Sequence, residues 1–349
     1  MTSKLKITFL CVFVLSIFLN LSCSSSIRKI TLPELEDGKY DSEFPYQNAS
    51  KELEEITNTI RMIHSMAFYT SFSFDRETKL TKNEIRFNNL KEYANSEISF
   101  HQTSAGTATI IYSNNGKVAL LTCAHILDFP DTAISYYFDI LGQKTNIISG
   151  ISIKTRQTNY IPELSGQPEF NTLATDKNLD LTLLGKDIDL IDALKLRPFK
   201  YPLGESNELS WGTFVYLFGY PLNNRMITKG IVSPNNKDNS SFLVDASINK
   251  GFSGGVVLAI KDGIPNFELV GIVKSGTGKK DYYLKPATSK KFPLVNSKIP
   301  YNDNIYVDEN LNLRYGITKV ISTESILEFL DNNESQLENL GYISDYFFN

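Results

Sequence analysis

Three short segments of this chain carry side chains that could together perform acyl transfer. Leu120-Leu121-Thr122-Cys123-Ala124-His125 ends an apolar run in a histidine, and Asn178-Leu179-Asp180-Leu181-Thr182-Leu183-Leu184 sets an aspartate at the head of another. Asp245-Ala246-Ser247-Ile248-Asn249-Lys250-Gly251-Phe252-Ser253-Gly254-Gly255 surrounds a serine with glycines. A serine hydroxyl is a poor nucleophile at neutral pH until a base takes its proton, and an imidazole, with an ordinary pKa of about 6.5, can serve. A buried carboxylate then holds the ring in one tautomer and stabilises the imidazolium. Gly251, Gly254 and Gly255 permit a tight turn on which the N–H groups of Gly251 and Ser253 can converge on a developing oxyanion, each such donor contributing about 3 to 4 kcal/mol. His125, Asp180 and Ser253 are therefore the candidate base, orienting acid and nucleophile.

The serine motif alone would arise by chance in roughly 1% of chains of this length, so it is the ordered set of three that carries the reading. Asp176, Asp187 and Asp189 lie close enough in sequence to compete with Asp180 for the acid's place. Cys123, two residues before the histidine, reads as a small buried strand residue rather than a second nucleophile. His64 and His101 read as surface or structural residues.

Other chemistries are disfavoured by composition. The chain has 35 Lys and Arg against 39 Asp and Glu, a net charge of −4, so no general basicity points to nucleic acid. Its 3 histidines and 3 cysteines show no metal-ligand spacing, and neither a metal nor another cofactor is expected. At 349 residues, 42% hydrophobic and 21% charged, it has the composition and length for one large domain or two small ones.

The elements that must position these residues are mostly short β runs. Candidate strands are Thr107 to Ile111, Val118 to Leu121, Leu181 to Leu184, Phe214 to Phe218, Phe242 to Val244, Val256 to Ile260 and Leu269 to Val273. With no helices alternating between them, they predict antiparallel barrels or a sandwich. Two helices flank this body. Leu53, Ile56, Ile60, Ile63 and Ala67 share a helical face, which predicts a helix over 50–66 capped by Ser50. Ile326, Phe329 and Leu330 predict another from Ser322.

On these segments the chain resembles the trypsin-like, chymotrypsin-fold serine proteases, closest to the HtrA/DegP-like branch. Gly106-Thr107-Ala108-Thr109-Ile110-Ile111 is similar to that family's opening strand, and Asp245 to Gly255 is the closest match of all. Phe218-Gly219-Tyr220-Pro221, Gly230-Ile231-Val232-Ser233 and Tyr315-Gly316-Ile317 resemble its later segments. The resemblance implies an all-β fold of two six-stranded antiparallel β-barrels with the triad in the cleft between them, and protein or peptide substrates. It also implies a specificity pocket with Ser247 at its floor and walls from Val273, Lys274 and Ser275. An uncharged floor predicts small or medium apolar residues before the scissile bond. Phe252 departs from the acidic or amide residue usual before the nucleophile. A protease-fold binding protein silenced at that point is the rival reading. The 19 residues after Leu330 are expected to hold no PDZ domain, and the oligomeric state is left open.

The first residues read as an address. Lys4 and Lys6 precede an apolar run from Ile7 to Leu19 and an exit at Leu21-Ser22-Cys23, shorter than the roughly 20 residues that span a bilayer. A small residue before cysteine resembles a bacterial lipobox, so lipid on Cys23 is expected. Processing would remove two lysines and leave a charge of −6. The expected organisation is a signal peptide over 1–22, a lipidated tether over 23–48, a helical and β extension over 49–103, the protease domain over 104–335 and a tail over 336–349. An exported protein held to the cell envelope on Cys23, at the periplasmic or surface face of a bacterial membrane, is the expectation. The insertions over 130–175 and 275–313 are peculiar to this chain. In the second, as far as Lys298, Lys279, Lys280, Lys285, Lys290, Lys291 and Lys298 follow Lys274 against one acid, Asp281, which reads as a solvated loop.

Overall fold

In the computed structural model, residues 36–45, 47–85, 89–164, 166, 169–234, 239–286 and 305–348 are described. The expected signal peptide, Cys23, the first part of the tether and residues 287–304 of the lysine-rich insertion lie outside them. Among the described residues there are thirteen strands, of which β1 (Ile60–Ser73), β2 (Ser96–Asn114), β3 (Lys117–Cys123), β4 (Thr132–Phe138), β5 (Lys144–Tyr160), β6 (Asn171–Asp176) and β7 (Leu181–Asp187) lie in the first half. The second half holds β8 (Phe214–Gly219), β9 (Met226–Ser233), β10 (Ser241–Asp245), β11 (Val256–Ile260), β12 (Phe267–Pro286) and β13 (Ile305–Ser322). The short helices are α1 (Ser50–Thr57), α2 (Leu90–Tyr93), α3 (Leu190–Lys195), α4 (Thr323–Asn332) and α5 (Glu334–Asn339).

The protein is mostly β, as its short apolar runs predict. The second-half strands close into a six-stranded barrel of order β10-β13-β12-β11-β8-β9. The first-half strands form a seven-stranded sheet, β4-β5-β1-β2-β3-β7-β6, in place of a closed six-stranded barrel. The extra width comes from residues N-terminal to the expected domain start. β1 lies between β2 and β5 and pairs antiparallel with both, so the segment before residue 104 is part of the sheet's centre.

The helix expected over 50–66 ends at Thr57, and β1 begins at Ile60. Ile63 and Ala67 fit a helical repeat, but they fit a period of two equally well once Ser65 and Tyr69 are buried beside them. Ser65 is buried because its hydroxyl donates to Asn159 Oδ1 at 2.6 Å, on β5, a partner 94 residues away. Long-range pairing decided between the two periods. The expected Ser50 cap is not formed: Ala49 is the N-cap and makes no side-chain cap bond, and the Ser50 amide donates to Asn48 Oδ1 at 3.0 Å. At the other end the expectation holds. Ser322 caps α4 by accepting from the Ser325 amide, and Ile326 and Phe329 are buried.

The C-terminal residues are tied down as well. Leu337, Tyr342 and Phe348 are buried against the first sheet, the Tyr342 ring meets Tyr112 edge-on at 5.2 Å, and the Phe348 amide donates to Ile111 O at 2.7 Å.

Candidate active site

His125 lies in a single 3-10 turn, Ala124–Ile126, that ends β3, and Asp180 immediately precedes β7. β3 and β7 are hydrogen-bonded neighbours with Cys123 opposite Leu181, so the pairing brings the two segments together although 55 residues separate them. The turn before β7 is shaped by Asp176, whose Oδ1 accepts the amides of Asn178 and Leu179 at 2.8 and 3.0 Å. It delivers Asp180 with φ of +67°, a left-handed conformation that aspartate tolerates better than most residues. Asp180 Oδ1 accepts the His125 backbone amide at 2.9 Å, and His125 Nδ1 lies 2.9 Å from Oδ2 and 3.1 Å from Oδ1. The Asp180 side chain is 10% exposed, against 45% for His125. The carboxylate is shielded while the imidazole is partly open to solvent.

The competing acids have other structural roles. Asp176 makes the turn, Asp187 pairs with Lys117 at 2.7 Å, and Asp189 caps α3.

Ser253 sits half-buried on a loop between β10 and β11, and two glycines there have left-handed backbones, Gly251 with φ of +111° and Gly254 with +85°. Neither could carry a side chain: a Cβ on Gly251 would stand 2.3 Å from Tyr220 O, and one on Gly254 would stand 1.9 Å from Thr107 O. The loop is bonded to both sheets. The Gly254 amide donates to Val273 O and the Val273 amide to Gly255 O, each at 2.8 Å. From the first sheet, the Thr107 amide donates to Ser253 O at 2.8 Å and the Thr107 hydroxyl to Gly251 O at 2.7 Å. That hydroxyl in turn accepts the Tyr220 amide at 2.9 Å. With these carbonyls held, the amides of Gly251 and Ser253 have no acceptor among the described residues. The Ser253 hydroxyl likewise has no partner among them.

Thr107 was read from sequence only as a strand residue. Its clamp depends on a contact across 144 residues, which no local pattern announces. Thr107→Val should lower stability by about 2 to 4 kcal/mol, since it leaves the buried Gly251 carbonyl and Tyr220 amide unsatisfied. Urea denaturation measures this, and a cost under 0.5 kcal/mol would show that the clamp is not needed.

Phe252 does not enter the cleft. It is 2% exposed in the core of the closed barrel, and its ring occupies the space where a Cβ on Gly219 would stand 2.6 Å from Cδ1. An apolar anchor thus holds the Ser253 loop, and the bulk that motivated the silenced reading is buried in the barrel core. Phe252→Ala should cost about 3 to 5 kcal/mol through lost burial and a cavity, while Phe252→Leu should retain most of the stability. Thermal denaturation of the two variants distinguishes them, and equal losses would contradict an anchoring role.

The residues expected to form a specificity pocket are placed differently from one another. Ser247 is exposed just past β10. Val273 is fully buried and its backbone bonds the Ser253 loop. The Ser275 backbone pairs with Lys319. Lys274 turns toward the aspartate: its Nζ lies 3.9 Å from Asp180 Oδ2 and donates to Leu179 O at 3.4 Å. The cation beside the acid went unrecognised in the sequence because β12 and the turn before β7 meet only in the folded protein.

Cys123 Sγ comes within reach of the same carboxylate and imidazole, the three donor groups lying within 4.8 Å of one another. Burial pushes this thiol well up from its ordinary range, and it donates to Val273 O at 3.3 Å. A thiol kept protonated is a poor metal ligand and a poor nucleophile. The geometry fits a strand residue, not a metal centre.

Residues 106–272 match the family model described as a trypsin-like peptidase domain. A serine protease HtrA-like protein of Staphylococcus haemolyticus (strain JCSC1435) is 29% identical over 178 residues, which is 38% of this chain and 28% of that protein. This chain therefore spans less than a third of the length of the curated relative it matches. Among solved structures, a thermostable serine protease from an extremophilic microorganism aligns over 77% of this chain and 96% of its own, with 9% identity and a TM-score of 0.38. A protease from Arthrobacter nicotinovorans aligns over 80% and 97%, with 9% identity and a TM-score of 0.36. The domain match and the relative support a trypsin-like serine peptidase.

Proposed function

We propose that this protein is an exported serine endopeptidase, held to the cell envelope by lipid on Cys23, in which Ser253 is the nucleophile, His125 the base and Asp180 the orienting acid. Ser253 Oγ attacks the carbonyl carbon of the scissile bond while its proton passes to His125 Nε2. The negative charge moves to the carbonyl oxygen, where the free amides of Gly251 and Ser253 can receive it. Collapse of this intermediate breaks the C–N bond, the imidazolium returns its proton to the leaving amine, and water repeats the sequence to release the acid. Asp180 stays ionised throughout and holds Nδ1–H. The observation that carries the reading is the contact at 2.9 Å between His125 Nδ1 and the shielded Asp180 carboxylate.

A fluorophosphonate probe tests this directly. The native chain should be labelled covalently and Ser253→Ala should not. Equal labelling of both would overturn the assignment of the nucleophile, and labelling of neither would overturn the peptidase reading.

The anchor is tested separately. Cys23→Ala should move the protein from the detergent phase to the aqueous phase in a partition assay, because each buried methylene of a lipid chain contributes about 0.8 kcal/mol to membrane affinity. An unchanged detergent-phase fraction would exclude Cys23 as the attachment point.

A further inference from the structure

We propose that the hairpin joining β4 to β5 inserts its tip, Phe138, Ile140 and Leu141, into the interfacial layer of a phospholipid bilayer. The proposal is independent of the serine chemistry. From the lipid proposed on Cys23 it takes only the nearness of a membrane.

The loop at this tip needs no apolar residue to form. Residues 139–143 connect Phe138, the last residue of β4, to Lys144, the first of β5, and those two pair across the ladder. Asp139 Oδ1 accepts the amides of Leu141 and Gln143 at 2.9 and 2.8 Å, and the Asp139 amide donates to Gln143 O at 2.9 Å. Gly142 supplies the left-handed step, with φ of +75°. Asp139 and Gly142 thus provide the turn chemistry, and polar residues are usual between them. Here Ile140 is 98% exposed and Leu141 78%, with Phe138 beside them at 59%.

The hairpin that carries these side chains is firmly based. Ile134, Tyr136, Ile148 and Ile151 pack with Phe74 and Leu80 in a small core of their own. The Tyr137 hydroxyl donates to Phe74 O at 2.7 Å. Three large apolar groups therefore stand in water on a held scaffold, with no freedom to fold back onto the sheet.

What covers such a tip follows from its size and from the residues behind it. Its exposed apolar area is on the order of 400 Å², about half of the roughly 800 Å² that each partner gives to a stable protein interface. A convex tip of that size suits a soft layer that closes around it better than a second protein surface. Behind it, Lys144 Nζ lies 4.0 Å from the centre of the Tyr136 ring, and the Arg76 guanidinium 5.8 Å from that of Tyr137. Tyrosine rings favour the headgroup layer, and cations there meet lipid phosphates. Apolar tip, aromatic ring and cation thus follow the order of acyl chain, interface and phosphate. Asp75 and Glu77 flank Arg76 and temper its attraction, so the apolar contacts carry most of the binding. Twelve residues separate Cys23 from the first described residue, a reach of roughly 40 Å at full extension. An anchor on Cys23 would therefore keep the body close to the bilayer.

The test uses the full chain with Ile140→Trp, in a Trp211→Phe background that removes the sequence's single tryptophan. It is reconstituted into vesicles of phosphatidylcholine and phosphatidylglycerol and recovered by flotation. The new indole should shift its emission to the blue. It should lose about half of its intensity to lipids brominated near the top of the acyl chain and less to lipids brominated at the end, since an interfacial tip goes only about 5 to 10 Å deep. Leu141→Asp in the same chain should abolish the quenching and leave the thermal denaturation midpoint unchanged, because Leu141 is open to solvent. Flotation without quenching would overturn the tip proposal and leave the lipid on Cys23 standing. Quenching in a chain whose flotation survives Cys23→Ala would sustain the tip while that attachment falls. A chain that does not float would overturn both. A blue shift that appears without vesicles and grows with protein concentration would assign the tip to a second copy instead.

Discussion

Turnover by the Ser253→Ala chain should fall by about six orders of magnitude in kcat, with His125→Ala nearly as low and the double variant no lower than either. The non-additivity is the informative part. Nucleophile and base act in one step, so removing the second partner costs little once the first is gone. Residual hydrolysis about a thousandfold above the uncatalysed rate should survive in all three, since the Gly251 and Ser253 amides are backbone groups that these substitutions leave in place. Single-turnover kinetics on an activated ester measures all of this. Ser253→Ala turning over within tenfold of native would show that another group attacks the substrate.

Asp180→Asn should lower kcat by about four orders of magnitude while barely changing stability. The structure gives the reason. The Asp180 carboxylate accepts from both the backbone amide and the Nδ1 of His125, at 2.9 Å each. An asparagine of the same shape can offer one oxygen to the backbone amide, and its NH2 then faces Nδ1. A donor there favours the tautomer with the proton on Nε2, the nitrogen that must accept from Ser253, so the geometry survives while the base is lost. Kinetics with a matched thermal-denaturation curve separates the two effects. A loss of activity that tracks a loss of fold would mean that Asp180 is only structural. Lys274 adds a further charge to this carboxylate at 3.9 Å, with a side chain 24% exposed, so solvent screens much of its influence. It is secondary to the pair with His125.

Much of the site was legible because its chemistry is written in short segments. Ser253 had to be flanked by glycine, since any Cβ at Gly251 or Gly254 would collide with backbone, and that need shows in the sequence as Gly-Phe-Ser-Gly-Gly. His125 and Asp180 each stand next to a run of apolar residues, because β3 and β7 are interior strands with almost continuous burial. Strands of that kind announce themselves by composition without any partner in view. The choice among four aspartates was not legible, since Asp176, Asp180, Asp187 and Asp189 differ only in what they meet. A turn, a histidine, a lysine and a helix end sorted them.

The amphipathic reading of residues 50–66 failed for a related reason. Ile60, Ile63 and Ala67 suit a helix locally, and the nucleation of a helix needs only local bonds. β1 exists because β2 and β5 are available on either side to satisfy its backbone. Those partners include a stretch of β2 that is exposed from Ser96 to Thr103, and a β5 whose Asn159 receives the one buried serine of β1. By itself, then, the sequence determined the mostly β class and the turn glycines around Ser253, which depend on bonds and clashes between near neighbours. The tertiary structure alone decided the seven-stranded width of the first sheet, the inward course of Phe252, the clamp at Thr107 and the lysine at the aspartate. Each of these is a contact between segments far apart in the chain, and its energy exists only once backbone pairing has brought them together.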